Sequence, residues 1–180
     1  MSERRGRDGK GTKQLTVCAM LAALGVILLY LGAMIEVLDI SVAVIASLLC
    51  VVAVIEYGGG APWMIYGVTS VLSVILLPNK TPALMYALFF GFYPILKEKF
   101  EKRPRAIAWV LKLAVFNVSL AIIAFLTVKL TLAESNAILS KPLFVIAAVV
   151  VCEAVFLLYD VAMTRVISFY IVNLRKRFKF

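Results

Sequence analysis

Four ionisable side chains sit inside long apolar stretches: Lys112, Glu153, Asp160 and Arg165. A charge in a hydrocarbon interior is expensive, so each is a functional candidate by default. Asn117 adds an uncharged polar group five residues after Lys112. At helical rise, Lys112 lies about 10 Å and Asn117 about 16 Å from the start of their segment. Counted back from Val172, Arg165 lies about 10 Å in, Asp160 about 18 Å and Glu153 about 28 Å. Lys112 therefore lies at a depth from which it can reach Asp160, and the two are expected to form a structural ion pair, while Arg165 snorkels toward the nearer surface. Glu153 has no basic residue at its level within the apolar stretches. It precedes Asp160 by seven residues, nearly two turns, and so shares its helix face. Two readings of Glu153 stay open. It is a protonated or hydrogen-bonded carboxyl inside a helix bundle, or a carboxylate opening on a pocket for a polar or cationic ligand. Asn117, near Asp160 in depth, would extend the same polar track. Tyr86 and Tyr159 are candidates for the wall of such a pocket, whereas Trp63 and Trp109 read as interfacial anchors.

Recognisable catalytic patterns are missing. The chain has no histidine, which removes the commonest general base and metal ligand. Cys18, Cys50 and Cys152 lie singly in apolar runs and read as small buried residues, neither disulfides nor metal ligands. Gly58-Gly59-Gly60 lacks the Lys-Ser/Thr that would follow in a phosphate loop, and no GxSxG, HExxH or acidic metal cluster occurs. The expectation is a chain that is not an enzyme and carries no metal or cofactor. ATP-driven work would need a partner protein.

The elements that must hold these residues follow from composition. Of 180 residues, 63% are hydrophobic and 16% charged, and mean hydropathy is +1.01. So few charges cannot cover so apolar a chain with a water-facing surface, and lipid must supply part of the solvent. Six apolar segments can be drawn: Leu15–Ile35, Ile40–Tyr57, Ala61–Leu77, Pro82–Leu96, Ala106–Leu130 and Pro142–Val172. A crossing takes about 20 residues, within a range of roughly 17 to 25. The first, second, third and fifth segments qualify. The fourth is short and the sixth is long. Gly58-Gly59-Gly60-Ala61-Pro62 and Pro78-Asn79-Lys80-Thr81-Pro82 break the chain between segments. The fold expected is an all-α, polytopic membrane bundle of six transmembrane helices: a basic tail over 1–14, a membrane domain over 15–172 and a basic tail over 173–180. The first apolar run, about 21 residues long, exceeds the h-region of a signal peptide and reads as a retained helix.

Basic residues orient the bundle. With six spans, the N-terminal tail, the loop Lys97–Arg105 and the C-terminal tail share one side and hold fourteen Lys and Arg. The opposite side holds Lys80, Lys129 and Lys141, with the acidic turn Glu36–Asp39. By the positive-inside rule both termini are cytoplasmic and the chain is multi-pass in the bacterial cytoplasmic (inner) membrane. The net charge of +9 is accounted for by these flanks, so no nucleic-acid partner is expected. One alternative has the same charge pattern: segments three and four as a re-entrant hairpin from the cytoplasmic side. A kinked fourth span, with neighbours satisfying the carbonyl freed at Gly91 and Pro94, is the preferred reading.

Ala19 and Ala23 are four residues apart on the first segment, so they share a face that another helix can approach closely. That face packs either within this chain or against a separate subunit. With the basic N-terminus leading through Lys13-Gln14-Leu15-Thr16 into Ala19-xxx-Ala23, and with the length and six segments, the chain resembles the substrate-binding S component of energy-coupling factor (ECF) vitamin transporters. The resemblance implies a small-molecule ligand bound near the outer side by later helices and loops. It implies partners as well, a transmembrane coupling subunit that meets the alanine face and two ATP-binding subunits, with the S component toppling to release substrate inward. A non-transporting scaffold of the rod-shape-determining MreD type shares this size and layout and needs no ligand pocket.

Overall fold

The computed structural model describes residues 2–131 and 142–174, with side-chain surroundings for 11–35, 37–126 and 145–173. Lys141 and the basic residues of the C-terminal tail lie outside the described residues; the side chains of Arg4 to Lys10 and of Lys129 are likewise not described. Every described element is helical. In order they are α1 (Ser2–Ala33), a 3-10 turn (Glu36–Leu38), α2 (Asp39–Glu56), α3 (Ala61–Leu76), α4 (Thr81–Met85), a π-helical turn (Tyr86–Phe90), α5 (Tyr93–Phe100), α6 (Arg105–Thr131) and α7 (Pro142–Phe169). A second π turn (Tyr170–Leu174) follows α7. The chain divides into two compact units, residues 1–123 and 124–180.

Four stretches are long and apolar enough to cross a membrane: Gly11–Ala33, Asp39–Glu56, Arg105–Leu126 and Val145–Asn173. They correspond to the first, second, fifth and sixth segments. The third and fourth segments are not among them. α3 has 16 residues, about 24 Å at helical rise, against a hydrocarbon core of about 30 Å. The fourth segment is broken into α4, the π turn and α5.

The first unit is built on an antiparallel pair, α1 and α2. Leu29, Ala33, Ala43 and Ala46 share one buried cluster, and Cys18, Ala22 and Ala53 another. Small residues set the spacing. A Cβ on Gly32 would fall 2.7 Å from Val42 Cβ, and one on Gly25 would fall 3.2 Å from a Thr69 methyl. Close backbone approach is how apolar helices gain contact where lipid competes for the same surface. α3 lies alongside α1 and runs in the same direction. Ala61 and Ile65 join Cys18 and Ala22, while Leu77 joins Leu29 and Ala33. The Thr69 hydroxyl donates to the Ala22 carbonyl, 3.4 Å. Between α2 and α3, Gly58 and Gly59 both adopt left-handed backbone (φ 59° and 55°), which other residues rarely tolerate, and Pro62 opens α3.

The turns meet at two ends. Asn79, in the turn after α3, donates to Asp39 Oδ2 at the start of α2, 3.2 Å. The α1–α2 turn and the α3–α4 turn therefore lie together. Lys80 Nζ closes the C-terminus of α3 by donating to the carbonyls of Val74 and Leu77. From this end the broken fourth segment runs back along α3, until Lys99 stands 5.6 Å over the Trp63 ring near the start of α3.

The break has a local cause. Pro94 has no amide hydrogen and its ring crowds the preceding turn. The Gly91 amide bonds to Tyr86, 2.7 Å, instead of its α-helical partner Ala87. The Ala87 carbonyl accepts from the Tyr66 hydroxyl, 2.8 Å. A kinked fourth segment with its freed carbonyl satisfied by a neighbour is the geometry expected from sequence. Gly91 makes it possible: a Cβ there would fall 2.7 Å from the Tyr66 ring and 2.8 Å from the Tyr86 ring.

Candidate functional site

α1 has two working faces. Cys18, Ala22, Gly25, Val26, Leu29 and Ala33 are buried against the rest of the first unit. Ala19 and Ala23 are exposed, as are Met20, Leu24 and Ile27 beside them. Within the first unit the packing against α2 and α3 falls to Cys18, Ala22 and Gly25 rather than to Ala19 and Ala23. What remains outward is a shallow strip of two methyl groups flanked by longer side chains, the relief a second helix needs for close approach.

A cleft of about 440 Å³ opens between Tyr66 of α3, the π turn and α5, and the middle of α6. Its α5-side wall is Ala87, Leu88, Phe92 and Leu96; its α6 wall runs from Ala114 to Ile122. Polar groups are scarce. The Tyr66 hydroxyl is already committed to Ala87, which leaves Ser119 as the second polar side chain of the lining. Aromatic contacts hold the rear wall: Tyr66 packs edge-on to Phe92 with centroids 6.0 Å apart, and Phe89 edge-on to Phe116 at 5.4 Å.

A compact ionic group closes the end of the first unit where α5 turns into α6. Lys97 and Lys112 both place Nζ 3.3 Å from Glu101 Oε1. The two lysine side chains are 1% and 7% exposed and the glutamate 46%, so the cations are covered while the carboxylate reaches outward. Lys112 also lies 5.4 Å from the centroid of the Trp109 ring. Sequence reasoning placed Lys97 in a solvated loop. Its position one turn after Tyr93, on the covered face of α5, was the available signal.

The predicted pocket residues fall in three places. Tyr86 is wholly buried in the cluster of Leu29, Ala43 and Ala46, with its ring 6.5 Å from Tyr66. Asn117 is on the exposed face of α6 and donates to the Leu113 carbonyl one turn earlier, 3.0 Å. Glu153 and Tyr159 lie on α7 in the second unit, both half-buried. On that helix Glu153, Phe156, Asp160 and Met163 form one covered stripe, with Phe156, Asp160 and Met163 fully buried. Glu153 and Asp160 thus share a face, as their spacing requires. Arg165 is exposed on the same helix. Tyr66, which seals the break and lines the cleft, was not singled out from sequence.

No known protein family, curated protein or solved structure matches this chain.

Proposed function

We propose that the chain is the membrane-embedded substrate-binding subunit of an ECF-type uptake transporter for a vitamin or another small micronutrient. It works with a transmembrane coupling subunit and two ATP-binding subunits in the cytoplasmic membrane. The observation that carries this reading is the exposed Ala19–Ala23 strip. Two small side chains four residues apart stay exposed among the described residues, which is the relief that close helix approach needs. In the S components that the sequence resembles, the corresponding alanine motif faces the coupling subunit. The substrate site belongs to the outer half, where Glu153 stands, rather than to the apolar cleft. A vitamin presents many donors and acceptors, and a site that leaves them unpaired binds poorly.

Native mass spectrometry of the purified protein tests the reading. A co-purifying molecule of vitamin size, released on denaturation, is the expected result. Protein that stays ligand-free after expression in rich medium, yet assembles with other membrane proteins, would favour the MreD-type scaffold.

The topology in this proposal is six crossings with both ends cytoplasmic. The Asn79–Asp39 hydrogen bond supports α3 as a crossing. It joins the turn after α3 to the turn between two helices long enough to span, whereas a re-entrant tip would stop near mid-membrane. The short α3 is accommodated by local thinning of the bilayer and by its polar flanks. Single cysteines at positions 37, 79 and 102, in a cysteine-free background, give the check. Positions 37 and 79 should react with a membrane-impermeant maleimide on intact cells, and 102 only after lysis. Protection of 79 together with labelling of 37 would restore the hairpin.

A further inference from the structure

We propose that the cleft between α5 and α6 is a binding site for one acyl chain of an anionic phospholipid, whose phosphate is held by Lys99 and Arg103.

The lining decides the chemistry of the tail. Tyr66 and Ser119 are the lining side chains with a hydroxyl among the described residues, and the Tyr66 hydroxyl already donates its hydrogen bond to the Ala87 carbonyl. A polar solute entering this space would lose its hydration without recovering hydrogen bonds, at a cost that apolar contact does not offset. Hydrocarbon loses nothing. Along α5 the cleft runs from Leu88 to Leu96 and along α6 from Ala114 to Ile122, about 12 Å of helix on each wall. That is a slot parallel to the helices, the direction in which an acyl chain lies.

The end of the slot decides the head group. Phe92, Leu96 and Lys99 are spaced four and three residues apart, so the α5 wall continues one turn beyond the cleft into Lys99. Lys99 is exposed and stands 5.6 Å over the Trp63 ring. Trp63 in turn packs edge-on against Tyr66 of the lining, centroids 5.9 Å apart. An indole bearing a lysine at the mouth of an apolar slot is the arrangement of a membrane–water interface. Arg103 and Arg105, in and just after the α5–α6 turn, lie exposed beyond it. The neighbouring acids are already engaged: Glu98 pairs with Lys102 at 2.7 Å and Glu101 with Lys97 and Lys112. The positive end of an apolar slot complements a lipid whose head is negative. Each basic residue near the surface is expected to contribute about fivefold to such binding.

This inference does not depend on the transport reading. The test is native mass spectrometry of the detergent-purified chain, titrated with phosphatidylglycerol and with phosphatidylcholine of the same acyl composition. Wild-type protein should retain one phosphatidylglycerol at least tenfold more tightly than phosphatidylcholine. K99Q/R103Q, which alters two exposed positions, should lose about thirtyfold toward phosphatidylglycerol and leave phosphatidylcholine unchanged. A114L, which fills the slot from the α6 wall, should weaken both lipids while circular dichroism and melting confirm the fold. If A114L melts early, the smaller Ala114→Val serves in its place. Equal retention of the two lipids by wild type overturns the head-group assignment. Retention unaffected by either slot variant overturns the acyl site. Glycerol phosphate competing as well as the intact lipid would show a free-phosphate site and also overturn it.

Discussion

Replacing Ala19 and Ala23 together by leucine should abolish co-purification with the proposed coupling subunit and leave the isolated protein folded. Both residues are exposed, so leucine at either position has room among the described residues. Exposed substitutions of this kind change stability by about 0.5 kcal/mol or less, a shift of about 2 °C in melting temperature at this size. A partner helix seated on the strip meets two isobutyl groups where it needs contact at backbone distance. The loss should be near complete, because an intramembrane interface gains little from hydrophobic transfer and depends on packing. Ala22→Leu is the control in the opposite sense. Ala22 is 3% exposed and its carbonyl accepts from Thr69, so the added volume should destabilise the chain by about 1–3 kcal/mol. Wild-type yields of complex from the A19L/A23L protein would remove the main support for the proposed function.

Glu153→Gln should weaken binding of the proposed small-molecule ligand by about 2–5 kcal/mol, the usual loss when one partner of a buried charged hydrogen bond is removed. That corresponds to roughly thirtyfold to several thousandfold in Kd. Gln keeps the shape and removes the charge. The expectation rests on position: Glu153 is half-buried at the top of the covered stripe of α7, whereas Asp160, two turns below, is buried. A buried carboxylate must be paired, hydrogen-bonded or protonated. Asp160→Asn should accordingly lower the melting temperature more than the affinity. Calorimetric titration and thermal melting on both variants separate the roles. Intact affinity in E153Q with a clear loss in D160N would exchange them.

Lys112 illustrates how far pattern reading reaches. Its depth made it a candidate partner for Asp160. Within the first unit it reaches Glu101, which precedes α6 and which spacing alone did not single out as a contact. Depth along a helix is a matter of counting; the identity of the group that folds back over it is not, because a turn can bring in a side chain eleven residues away.

Much of the architecture was written in local chemistry. Apolar run lengths and glycine–proline breaks place α2, α6, α7 and the end of α1 to within a few residues, because in lipid each backbone group must be satisfied within its own helix, whereas the α1 helix begins at Ser2, well before the apolar run that starts at Leu15. Pro94 and Gly91 announced the break in the fourth segment. The four-residue spacing of Ala19 and Ala23 puts both on one side of α1, where both are exposed. The tertiary structure alone decided which face of α1 the chain consumes, since Cys18-Ala22-Gly25 and Ala19-Ala23 are both small and differ only by rotation about the axis. It decided as well that Asn79 meets Asp39, forty residues away, and that Tyr66 takes the carbonyl left by Gly91. Such pairings depend on how helices are laid side by side. Neither hydropathy nor spacing carries that information, because lipid-facing and helix-facing surfaces are equally apolar in a membrane and only packing tells them apart.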